Sequence, residues 1–144
     1  MKINIYTDGG SRGNPGPSAI GVVIIQEGQP LKKYGEFIGE ATNNQAEYQA
    51  LIFALEKAKL LFGKKKAKEL EISVFMDSEL IVKQMNHEYK IKEKDLQLLF
   101  LKIWNIMLDF KQISFKHIRR EENKEADKLV NEALDNENKE QVLL

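Results

Sequence analysis

Ile3 and Ile5 alternate with polar Lys2 and Asn4, the two-residue period of a half-buried strand, which predicts a strand over 2–8. Residues 9–17 hold four glycines and two prolines and read as a loop. A buried strand over 19–26 follows, centred on Val22, Val23, Ile24 and Ile25, then a turn at 27–30 and a third strand over 31–38. Three strands joined by short turns make an antiparallel meander. The pattern then changes period. Ala46, Ala50, Phe53, Ala54 and Ala58 recur at helical spacing, with N-cap chemistry just before them at Thr42, Asn43 and Asn44, so a long helix is expected over 44–62, ended by Gly63.

Beyond Gly63 the lysines of 64–68 read as a solvated loop. A fourth strand is expected over 70–76, a short helix over 78–86, a polar stretch over 87–94, a helix over 95–109, a fifth strand over 112–118 and a last helix over 122–136. The segment 137–144 reads as a polar tail that frays. The order βββ-α-β-α-α-β-α predicts an α/β fold: a five-stranded mixed sheet, antiparallel meander then αβ units, with helices on both faces. The expected division is one domain over 1–136 and the tail over 137–144. The 95–109 helix is apolar nearly all round, and a polar stripe remains only at Gln97, Lys102, Asn105 and Asp109. Part of it is expected to be exposed and to support weak self-association of an otherwise monomeric protein. Trp104 in that helix is read as core.

Composition narrows the function classes. A chain of 144 residues suits one domain with a sizeable core. No apolar run suits a bilayer span, no signal-peptide pattern opens the chain, and the absence of cysteine excludes disulfides and thiolate metal sites. A cytoplasmic location is expected. The formal net charge of zero, from 22 basic and 22 acidic residues, lacks the basic excess common in nucleic-acid binders. Any such role must use local lysines, backbone donors or bound cations.

Four acidic residues stand in defined contexts. Asp8 and Asp77 end strands, Glu47 lies in the first turn of the long helix, and Asp127 lies near the start of the last helix. Carboxylates that meet at one sheet edge repel each other without a counterion. Oxygen-only ligands select hard cations such as Mg²⁺ or Mn²⁺, and two such ions about 4 Å apart clamp both oxygens of a phosphoryl displacement.

The blocks Thr7-Asp8-Gly9-Gly10-Ser11, Thr42-Asn43-Asn44-Gln45-Ala46-Glu47, Met76-Asp77-Ser78 and Asn123-Lys124-Glu125-Ala126-Asp127 resemble the four signature blocks of type 1 ribonuclease H, in the same order and over roughly 1–135. The resemblance implies the ribonuclease H-like fold and endonucleolytic cleavage of RNA in RNA–DNA hybrids, giving 5′-phosphate and 3′-hydroxyl ends, with hybrids from replication and transcription as the biological target. It implies that Asp8, Glu47, Asp77 and Asp127 are both the catalytic residues and the metal ligands. Asp8 would bridge two Mg²⁺ ions, with Mn²⁺ able to substitute. Asp127 would serve the ion that activates water, and Glu47 and Asp77 the ion at the leaving oxygen. Ser11, Gly13, Asn14, Asn43 and Asn44 match positions that contact the hybrid's minor groove, and Thr42 matches a residue that grips a DNA-strand phosphate.

The chain departs from the family pattern in two places. Many relatives carry a histidine in the loop before the last Asp, where this chain has Arg119-Arg120-Glu121-Glu122, with His117 three residues before Arg120. Longer relatives insert a basic protrusion where this chain has only residues 87–94, so it resembles the short branch, with double-stranded RNA left open as a second substrate. Two rivals belong to other classes. A hybrid-binding module without turnover has no need of four mutually repelling carboxylates, and an integrase-like strand-transfer enzyme is disfavoured by the Asn43-Asn44 block.

Overall fold

Strand β1 (Lys2–Ser11) pairs antiparallel with β2 (Gly16–Gln26), and β2 pairs antiparallel with β3 (Gln29–Ala41). The computed structural model describes the backbone of residues 1–143 and the side chains of residues 1–140. After β3 come α1 (Asn43–Phe62), α2 (Lys64–Ala67), β4 (Glu71–Met76), α3 (Glu79–Met85), α4 (Lys94–Met107), β5 (Gln112–His117), a 3₁₀ turn at Arg120–Glu122 and α5 (Lys124–Leu143). The strand order is β3-β2-β1-β4-β5, with β1, β4 and β5 mutually parallel, so the expected mixed sheet is present. Among the described residues, no helix is long and apolar enough to cross a membrane.

Two cores lie on the two faces of the sheet. On one, Ile3, Ile5, Val22, Ile24 and Val74 pack with Tyr48, Leu51, Leu55 and Ala58 of α1, all essentially solvent-free. Each such leucine contributes about 1.5–3 kcal/mol by leaving water. On the other, Val130 and Leu134 of α5 cover Ala19. Glycines set how closely the helices approach. A Cβ on Gly9 would stand 2.3 Å from the Ala46 carbonyl in α1, and one on Gly21 would stand 2.1 Å from the Ala126 carbonyl oxygen in α5.

That role explains the largest difference from the expected elements. The glycine-rich stretch 9–17 is not all loop. β1 continues through Gly9, Gly10 and Ser11, paired with Ile20, Ala19 and Ser18, and only residues 12–15 turn. The first two glycines are strand positions, not turn positions, and Gly9 is the one that admits a helix. Lys64–Ala67 is a short helix rather than a loop, because Ala67 is buried in the core while the three lysines stay exposed. The last helix begins after a 3₁₀ turn and runs on through Leu143 instead of ending at Asn136. In α4 only Leu96 and Ile103 are buried. Trp104 is 50% exposed, so it is not core, and Leu98, Leu101 and Leu108 are exposed beside it.

Candidate active site

The parallel pairing of β1 with β4 ends at Tyr6 opposite Phe75. Two residues further along each strand stand Asp8 and Asp77, so the register itself sets these carboxylates level. Asp8 lies within β1 rather than at its end, and is nearly buried. Asp77 follows the last residue of β4, and the hydroxyl of the next residue, Ser78, caps α3 by accepting from the Ile81 N–H.

Glu47 arrives from α1. Thr42 caps that helix: its hydroxyl accepts from the Gln45 N–H, and the Gln45 side chain accepts from the Thr42 N–H. The close approach at Gly9 brings Glu47 over β1, where the Gly9 N–H donates to its Oε1 at 3.3 Å. Because α1 begins at Asn43, Glu47 lies in the second turn, not the first. Asp127 lies in the first turn of α5.

One oxygen each from Asp8, Glu47 and Asp77 lies within 4.8 Å of the others. Asp127 stands outside that trio but lines the same cavity, about 430 Å³, and its charge acts on Asp8. Burial first, then the facing Asp77, pushes Asp8 up to about 7 from an ordinary 3.8. Burial and the neighbouring Asp8 hold Glu47 well above the usual carboxylate range. Whatever the dipole of α1 contributes near its N-terminus is therefore outweighed at Glu47 by desolvation and repulsion. Glu47 Oε2 is buried without a hydrogen-bond partner. An all-oxygen donor set with strained charges and an unsatisfied buried oxygen fits a hard divalent cation.

The expected substrate-side residues divide between two cavities. Ser11, Asn43 and Asn44 line the carboxylate cavity. Asn14, Thr42 and Asn44 line a neighbouring one together with Glu93, Asp95 and Leu96. The two are tied by backbone-to-amide bonds: the Ser11 N–H donates to Asn43 Oδ1 and the Asn43 N–H to Asn14 Oδ1, each at 2.9 Å. Gly13 lines neither cavity; it sits in the connecting turn at φ 105°, where its carbonyl accepts from the Ser11 hydroxyl. Arg120 lines the carboxylate cavity, whereas His117 does not. Among the described residues, no carboxylate lies within ion-pair distance of Arg120, while the cavity's other cation, Arg12, is engaged by Asp135 at 2.7 Å.

Sequence reasoning missed two contributors. Nothing in the pattern marks Gly9 as the point where α1 presses on β1. Asn123, four residues before Asp127, is 1% exposed, and its Nδ2 donates to the Thr7 carbonyl at 2.9 Å and to Asp77 Oδ2 at 3.1 Å. A cap-type residue at that spacing was the available signal.

Comparison with known proteins gives consistent matches. A family model described as reverse transcriptase-like matches residues 6–133. Ribonuclease HI of Halobacterium salinarum is 41% identical over 135 residues, covering 93% of this chain and 65% of that protein. A bifunctional protein of Mycobacterium tuberculosis is 39% identical over 137 residues, covering 94% of this chain but 36% of that protein, so this chain spans about a third of it. Among solved structures, LC11-RNase H1 in complex with RNA/DNA hybrid is similar at TM-score 0.88 and 53% identity, covering 93% of this chain and 97% of that one. RNase H1 from Halobacterium salinarum is similar at TM-score 0.86 and 40% identity, covering 94% and 99%.

Proposed function

We propose that this chain, which belongs to the ribonuclease H family, is an endoribonuclease that hydrolyses the RNA strand of RNA–DNA hybrids and leaves 5′-phosphate and 3′-hydroxyl ends. The observation that carries the reading is the convergence of Asp8, Glu47 and Asp77 oxygens within 4.8 Å. In this reading residues 1–136 carry the catalytic domain, and cleavage removes hybrids arising in the cytoplasm during replication and transcription.

Asp8, Glu47, Asp77 and Asp127 are the residues that hold divalent cations, two with substrate, Mg²⁺ first and Mn²⁺ as a substitute. When bound, such cations acidify water and offset the charge that develops on the displaced oxygen. Everything else falls to the chain. Asp8 and Glu47 would have to be ionised to hold the cations, which burial and the neighbouring carboxylates otherwise oppose. The amides of Asn43, Asn44 and Asn14, with Ser11 and the Gly13 backbone, hydrogen-bond 2′-hydroxyls and base edges in the minor groove, the chemistry that separates RNA from DNA. The Thr42 hydroxyl accepts from the Gln45 N–H as a cap, and its own hydrogen stays available to a DNA-strand phosphate oxygen. Arg120, which has no carboxylate within ion-pair distance among the described residues, offers its guanidinium to the RNA phosphate at the carboxylate cavity.

The test is a substrate panel: end-labelled RNA–DNA hybrid, double-stranded RNA and double-stranded DNA with Mg²⁺ or Mn²⁺. The expected result is cleavage of the hybrid, products with 5′-phosphate ends, and intact DNA duplex. Cleavage of the DNA strand, or equal cutting of both DNA-containing duplexes, contradicts it.

A further inference from the structure

We propose that Asn123 is a positioning residue that fixes the Asp77 carboxylate relative to β1 and to α5, an assignment that rests on the metal-site reading above. Two side-chain and two backbone hydrogen bonds meet at this residue, one of the latter from its N–H to the Arg120 carbonyl. Its Nδ2 donates to the Thr7 carbonyl, next to Asp8, and to Asp77 Oδ2, while its backbone carbonyl accepts from the Asp127 N–H at 3.2 Å. One buried side chain thus bridges Asp77 and the chain neighbour of Asp8, from a residue whose backbone leads directly into the first turn of α5.

The place where it acts matters. The β1–β4 pairing stops at Tyr6 and Phe75, so Thr7 and Asp77 lie past the last paired residues. Nothing in the strand ladder holds the two ends together there, and the Asn123 amide bridges them. The orientation of that amide is settled by its partners. Turned over, this 1%-exposed side chain would set its oxygen against a carbonyl and a carboxylate, two acceptors. Its own Oδ1 is buried and unpartnered, so the side chain holds this pose despite leaving an acceptor unsatisfied.

The chemistry of a carboxamide suits the task. Lysine or arginine here would orient Asp77 but neutralise it, and would compete with a cation for the carboxylate. Aspartate would add a further negative charge beside three converging oxygens. An amide donor orients the carboxylate and leaves its charge for the metal. Partners behind a ligand typically change metal affinity or activity about 10–100-fold when removed.

The experiment compares wild type, Asn123→Ala and Asn123→Ser. It measures the rise in melting temperature on titration with Mn²⁺, the Mg²⁺ dependence of kcat, KM for a hybrid, and hybrid binding in chelator. The expected result for Asn123→Ala is about a tenfold higher cation midpoint in both titrations and about a tenfold lower kcat. KM and chelator binding stay as in wild type. Asn123→Ser, which keeps one donor, falls between the two. A lower melting temperature with unchanged cation midpoints in both variants would make Asn123 a structural residue only and overturn the assignment. Wild type that shows no cation response, or does not cut hybrid, overturns the metal-site reading itself, so the two failures are distinguishable.

Discussion

Asp8 and Glu47 are held in a state that opposes their own ionisation, and this has a thermodynamic sign. Asp8 titrates near 3.8 when unfolded and near 7 when folded. Between those values the folded protein binds more protons than the unfolded one, so stability falls as pH rises through the window. Glu47, raised in the same direction, steepens the fall. In chelator, the melting temperature should therefore drop from about pH 4 to about pH 7. Asp8→Asn should flatten that drop and gain ~2 kcal/mol at the upper end, while losing activity. A melting temperature that climbs over this range in chelator would contradict the electrostatic account. The convergence of Asp8, Glu47 and Asp77 was legible in the sequence. What hid was the balance at Glu47. A helix position suggests a favourable dipole, and only the packed structure shows that burial and Asp8 outweigh it.

At the scale of elements, two glycines decide where helices rest. Gly9→Ala would push α1 away from β1, because the new methyl would stand 2.3 Å from backbone atoms that cannot swing aside. The expected loss is about 3 kcal/mol, with a weakened response to Mg²⁺ because Glu47 leaves its place over Asp8. Urea denaturation with and without Mg²⁺ checks both parts. Gly9 reads as a loop residue because turn propensity and close helix approach select the same amino acid. The short helix at Lys64–Ala67 was missed for a related reason: three consecutive lysines suggest solvated coil, while the deciding contact is the burial of Ala67. In α4 the apolar pattern was read correctly as more than the core absorbs, but not which residues were left out. Trp104, the only tryptophan, stands half-exposed between Leu101 and Leu108. Its fluorescence should resemble that of solvated tryptophan and be quenched readily by acrylamide in dilute protein. A blue-shifted, protected emission would mean that this face is covered.

The whole molecule combines a neutral net charge with a strongly acidic cavity. The meander and the αβ units were readable from hydrophobic period and order, whereas the pairing of β1 with β4, which brings Asp8 and Asp77 together, is a feature of the folded sheet. The role of Asn123 was not readable either, since it depends on a contact across 116 positions with Thr7. With hydroxyls and amides proposed for most substrate contacts, hybrid binding should depend only weakly on salt, with a slope of log affinity against log salt of about −2 to −3. A slope near that of a strongly basic binder would point to a phosphate-contacting surface elsewhere. In the proposed mechanism the converging carboxylates, through divalent cations, cut RNA paired with DNA. The most direct test is a time course on a hybrid labelled in its RNA strand, with wild type and Asp8→Asn run side by side with Mg²⁺ and with chelator. The account predicts RNA fragments only for wild type with Mg²⁺; fragments from Asp8→Asn, or from wild type in chelator, would contradict it.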